Sequence, residues 1–111
     1  MILYGCHSYN DLEYTINSVN RREDKLQIML DHHMIYDKSI PNAQVVTPKE
    51  LGENNLDLIL SGHVHMGYQI QTFGKTSYYN PGSLTRMSSD AKDMKVKMAV
   101  ISNTGKQYKI E

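Results

Sequence analysis

Two apolar runs, Leu26 to Leu30 and Leu56 to Ser61, each pass directly into histidines, and this repeated exit constrains the fold more than any other feature. The first run opens into Asp31-His32-His33 and the second into Gly62-His63-Val64-His65. Both runs are too short for a core helix and alternate poorly, which favours strands buried in a parallel sheet. Neighbouring strands of that kind open on one cleft at their carboxyl ends, where ligands of open α/β sheets collect. Residues about thirty positions apart are thereby expected to meet.

At 111 residues the chain is read as one domain spanning 1–111, with room for a single core. Twelve basic residues balance twelve acidic ones, so no overall field draws the chain onto nucleic acid or anionic lipid. Cys6 is the single cysteine, which excludes an intramolecular disulfide and leaves a reduced, packed thiol as the ordinary expectation. Neither a basic leader nor a long apolar stretch precedes Gly5, so a cytoplasmic protein without a membrane span is expected. The opening Met1-Ile2-Leu3-Tyr4 already reads as strand, and such an abrupt start suggests a truncated or split protein, a strand at a natural N-terminus being the plainer alternative.

Local signals place the remaining elements. Asn10 or Asp11 can cap a helix reaching about Arg22, with Leu12, Ile16 and Val19 at helical spacing and Glu13 in the first turn. Residues 34–47, with Pro41 and no sustained period, read as a surface loop. Thr47-Pro48-Lys49-Glu50 then carries a cap, a first-turn proline and an acid. Tyr68 to Phe73 and Lys75 to Asn80 flank Gly74 like an antiparallel hairpin, and Met94 to Ile101 with Gln107 to Ile110 look like a second one. Strand, helix, strand, helical turn, strand and hairpins in this order predict an α/β layer that finishes in antiparallel strands.

The chemistry lies in the histidines. Three imidazoles can converge at the cleft: His32 or His33, His63 and His65. Neutral imidazole suits Zn, Fe, Mn, Co or Ni, so the ligands alone do not choose the ion. Gly62 is read as allowing close backbone approach. His7, alone at a strand end, reads as a structural residue. Tyr79-Asn80-Pro81-Gly82-Ser83-Leu84 ends a strand in a Pro-Gly bend. Its functional reading has Asn80 and Ser83 holding the backbone around the histidine loop and Arg86 available to a phosphate oxygen; its bland reading is a turn.

Asp31-His32-His33, Gly62-His63-Val64-His65 and Asn80-Pro81-Gly82-Ser83, in this order and spacing, resemble the C-terminal motifs of calcineurin-like metallophosphoesterases. Leu58-Ile59-Leu60-Ser61-Gly62-His63 followed by Tyr79-Asn80-Pro81-Gly82-Ser83-Leu84-Thr85-Arg86 looks most like the DNA repair exonuclease branch of SbcD type, bacteriophage members included. The resemblance covers about Ile28 to Arg86. It implies the C-terminal portion of a four-layer αββα sandwich with incomplete sheets. It further implies a two-metal site, manganese first among the candidate ions, that hydrolyses phosphate esters, DNA among them. His32 and His63 would bind one metal and His65 the other, with His33 as the substitute for His32. Asp31, the spacer, would be an outer or solvent-facing group.

Three family segments are absent before His32: Asp-x-His, Gly-Asp-x-x-Asp with its bridging aspartate, and Gly-Asn-His-Asp/Glu with its catalytic histidine. Two cations about 3.5–4 Å apart repel strongly, and anionic bridging ligands offset this. Three neutral imidazoles do not. The expectation is a partial domain with little or no activity by itself, requiring a complementary N-terminal phosphoesterase fragment, with DNA and an ATPase subunit as the other partners the resemblance implies. The competing expectations are a small-substrate phosphodiesterase and a non-catalytic module binding a protein or a single metal.

Overall fold

Strand formation follows the apolar runs closely. In the computed structural model, which describes residues 1–7, 10–82, 99–104 and 107–110, β1 spans Ile2–Cys6, β2 Gln27–Asp31 and β3 Leu58–Ser61. β4 (Tyr68–Phe73) and β5 (Thr76–Asn80) form the hairpin around Gly74. These strands make one five-stranded sheet in the order β1-β2-β3-β5-β4, parallel except for the antiparallel β4 edge. Ile28 pairs with both Leu3 and Leu58, and Asp31 with both Cys6 and Ser61, so the carboxyl ends of the first three strands are level. β6 (Ile101–Thr104) and β7 (Gln107–Ile110) form a separate antiparallel pair. The expected beginning of that hairpin at residues 94–98 lies outside the described residues.

Period-two alternation sends alternate side chains to opposite faces. On one face Met29, Ile59 and Tyr78 are fully buried with Leu12, Ile16, Val19, Ile35 and Leu56 around them. On the other, Leu26, Ile28 and Leu58 are covered by Ile101, Tyr108 and Ile110 of the β6–β7 pair. The result is a mixed α/β fold with a five-stranded mixed sheet and few helices. Among the described residues no helix is long and apolar enough to cross a membrane.

The helices are shorter than the sequence period suggests. α1 covers only Leu12–Asn17, capped by Asp11 Oδ1, which accepts from Tyr14 N at 2.9 Å. Beyond it the backbone carbonyls find tertiary partners: Asn55 Nδ2 donates to Val19 O at 2.9 Å and Gln27 Nε2 to Asn20 O at 2.8 Å. Those bonds remove the need for another helical turn, while Val19 stays in the core. α2 (Pro48–Leu51) is the expected single turn, capped by Thr47, whose Oγ1 accepts from Glu50 N and donates to Glu50 Oε1, both at 3.1 Å.

Two expectations of exposure are corrected. The 34–47 segment is not wholly superficial, because Ile35 and Tyr36 turn into the core and Ile35 bridges Val46. Conversely Leu30, expected to be buried on a doubly covered strand, is 48 % exposed, and Leu3 on the open β1 edge is 59 % exposed. Both project from the face that the small hairpin covers only over Leu26, Ile28 and Leu58.

Candidate metal centre

The carboxyl ends of β2, β3 and β5 supply one pocket. His32 leaves β2, the segment 62–65 leaves β3, and Asn80 with Gly82 comes from the end of β5. Together they line a cavity of about 250 Å³. The parallel ladder continues one step past the strands, with His32 N donating to Cys6 O at 3.2 Å and Gly62 N to Asp31 O at 2.9 Å. The two exits are therefore held in register. The His32 and His63 rings lie 4.9 Å apart between centroids and are tilted by 49°. His65 lines the same pocket, and all three imidazoles are solvent-accessible.

The loop geometry is unusual at His63, whose φ is +65°. A left-handed conformation at a non-glycine residue is uncommon and persists where surrounding contacts over-determine it. Those contacts are present. Val64 N donates to Gly62 O at 2.7 Å, the Val64 side chain is buried in the core, and Asn80 Nδ2 donates to both Gly62 O at 3.2 Å and Val64 O at 2.9 Å. Asn80 Oδ1 in turn accepts from Gly82 N at 2.8 Å. Asn80 is thus the clasp between the β5 exit and the histidine loop. Ser83 and Arg86, the other two residues assigned to this turn, lie outside the described residues.

The glycine requirement falls elsewhere than expected. A Cβ on Gly62 would meet His32 Nδ1 at 3.6 Å, an ordinary contact, so close approach does not demand glycine there. Gly67, with φ +69°, is the constrained position, because a Cβ would run into the Asn80 carbonyl oxygen and come within 2.6 Å of Gly82 N.

Partial burial lowers the His63 pKa below the ordinary histidine value, and the neighbouring His32 and His65 add to this by like-charge repulsion. The shift favours the neutral form of His63, the one with a lone pair for a metal. Three imidazoles suit one borderline cation. Among its described lining residues the pocket offers no carboxylate, so this donor set does not fit a pair of closely spaced cations.

His33 does not substitute for His32. It turns the other way, into a separate group with Asp31 and Cys6, and of the two expectations for Asp31, an outer or a solvent-facing group, the solvent-facing one is corrected. The Asp31 side chain is fully buried, and its Oδ1 lies 2.6 Å from His33 Nδ1. Its Oδ2 accepts from His33 N at 2.9 Å. Cys6 Sγ is 3.9 Å from His33 Nδ1, and the ligand atoms of the three residues lie within 4.8 Å of one another, a grouping that could hold a metal ion. Burial opposes charge on His33, but the Asp31 hydrogen bond, the Asn10 carbonyl and the Asp31 charge outweigh it and raise the pKa. Burial is also the main cause that raises the Cys6 thiol. From the sequence Cys6 reads as a packed thiol and Asp31 as an outer or solvent-facing group, so neither is singled out as a ligand. The available signal was their register: two adjacent parallel strands ending level put Cys6 beside Asp31 on the same face.

No protein-family model matches the chain, and comparisons with curated proteins and with solved structures find no match.

Proposed function

We propose that this chain contributes the histidine half of a metal-dependent phosphoesterase centre of the calcineurin-like type, with a DNA phosphodiester as the substrate of first choice. On this reading the five-stranded sheet belongs to a larger αββα sandwich. His32 and His63 hold one ion, His65 faces the second, and Asn80 fixes the loop that carries two of them. The observation that carries the reading is the convergence of His32, His63 and His65, from the exits of two adjacent parallel strands, on one small open pocket. Divalent ions held there, manganese first, would supply activated water and stabilise the charge on the phosphate oxygens.

The carboxylates needed to hold two ions together would come from a complementary fragment carrying Asp-x-His and Gly-Asn-His segments, and an ATPase subunit would be a partner of the assembled nuclease. Arg86 and Ser83 would serve the substrate side. The test is Mn-dependent hydrolysis of linear DNA by the chain mixed with such a fragment. Activity that requires both pieces and is lost in His63→Ala supports the reading, and inactivity of a well-folded mixture counts against it. A panel including small phosphodiesters separates the DNA branch from a small-substrate phosphodiesterase.

One observation favours a second reading. The pocket's described lining contains imidazoles and no carboxylate, the donor set of a single-metal module without catalysis. Stoichiometric binding of one Mn ion by the isolated chain, abolished in the His63→Ala, His65→Ala double variant and unaccompanied by hydrolysis under any pairing, would select it.

A further inference from the structure

Cys6, Asp31 and His33 stand apart from the histidine pocket and use three different donor atoms. We propose that they form a second metal site, selective for a borderline divalent cation of the zinc type.

The strands bring the donors together. Cys6 and Asp31 are register partners at the carboxyl ends of β1 and β2, and His33 follows Asp31 by two residues. Around a tetrahedral zinc-type ion, sulfur and nitrogen ligands sit about 3.6 Å apart and nitrogen and oxygen ligands about 3.3 Å apart. Here Cys6 Sγ and His33 Nδ1 are 3.9 Å apart, and Asp31 Oδ1 and His33 Nδ1 are 2.6 Å apart. With all three ligand atoms within 4.8 Å of one another, side-chain displacements of about 1 Å convert one arrangement into the other.

The surroundings resemble those of a metal-ligating histidine. A ligating imidazole commonly donates its other ring N–H to a carbonyl, which fixes tautomer and ring orientation. His33 Nε2 lies 2.8 Å from the Asn10 carbonyl oxygen, an atom that can only accept, so Nδ1 is the nitrogen aimed at Asp31 and Cys6. Asp31 is oriented by the His33 backbone N–H. Thiolate and imidazole together disfavour magnesium and calcium, which prefer all-oxygen shells. On binding, the Cys6 thiol proton and the His33 Nδ1 proton leave to solvent, and His33 Nε2 keeps its proton, donating it in a hydrogen bond to the Asn10 carbonyl oxygen. Three protein ligands leave a fourth position, on the partly exposed His33 side, for water.

Because Cys6 is the only thiol in the chain, a thiolate-to-cobalt absorption band reports this site and not the histidine pocket. Titration of the whole chain with Co²⁺ is expected to give that band by two equivalents, the histidine pocket taking the other ion. It should persist in the His63→Ala, His65→Ala double variant and vanish in Cys6→Ser. In Asp31→Asn and His33→Gln, checked for folding by circular dichroism, Co²⁺ affinity should fall by about tenfold or more. The absence of a thiolate band from the folded chain at two equivalents overturns the proposal, whatever the variants do. So does a band that disappears with His63 and His65, or one whose affinity is unchanged in folded Asp31→Asn and His33→Gln.

Discussion

Asn80 Nδ2 donates to Val64 O at 2.9 Å, tying the end of β5 to the middle of the histidine loop. The same amide reaches Gly62 O, and Asn80 is 2 % exposed, so its removal leaves two carbonyls without this donor in a largely dry setting. Asn80→Ala is expected to cost about 2–3 kcal/mol of stability, measured by urea unfolding. It should also weaken Mn²⁺ binding at the histidine pocket by about tenfold, read by calorimetry on the folded variant.

Gly67→Ala tests the same junction from the backbone side. An alanine there must hold φ near +69° and displace the Asn80-Pro81-Gly82 segment. A loss of more than about 2 kcal/mol is expected from strain and collision combined. Gly62→Ala, whose new Cβ meets only ordinary contacts, should be much milder. Equal losses for the two variants would mean that the loop does not pack against β5 in this way.

Tyr68 gives an alkaline limit to stability. Burial, with Asp31 and Asp37 adding charge repulsion, pushes its pKa up to about 12, against the hydrogen bond to Ser61 Oγ. A folded pKa raised above the unfolded value means the contribution is complete below about pH 10 and is lost as pH rises through about 12. Unfolding free energy should therefore decline across that window. Tyr68→Phe should reduce the decline while costing about 1 kcal/mol at neutral pH for the lost bond. Part of the slope should remain, because burial also raises Tyr78 and Tyr108.

The small β6–β7 pair should matter to stability through Ile28. That side chain is fully buried between the sheet and Ile101, Tyr108 and Ile110. Ile28→Ala is expected to cost about 2–5 kcal/mol in denaturant unfolding. Leu30→Ala, two residues along on the same face but 48 % exposed, should cost under about 1 kcal/mol.

The parallel strands were legible because Leu26 to Leu30 and Leu56 to Ser61 are short, apolar and bounded by turn residues, and the β4–β5 hairpin because Gly74 sits between two strand-like runs. Helix α1 was over-extended because Ile16 and Val19 keep helical spacing while the side chains that end the helix, Asn55 and Gln27, come from distant segments. Strand exits brought His63, His65 and one of His32 or His33 to one cleft, since both histidine groups follow buried strands. Spacing was silent on which way His32 and His33 turn. That choice depends on what the β1 exit offers, a sulfur and the Asn10 carbonyl, neither of which has a signature next to Asp31 in the chain.

The four parallel strands also give the molecule a working end and a handling end. Every candidate ligand named above sits where those strands finish, and among the described residues none of them lies at their starting ends, at Ile2, Gln27, Leu58 and Thr76. Fluorophores, surface tethers or affinity handles belong on that opposite rim. A polyhistidine handle placed near the strand exits would compete for the ions that the pocket is being asked to bind.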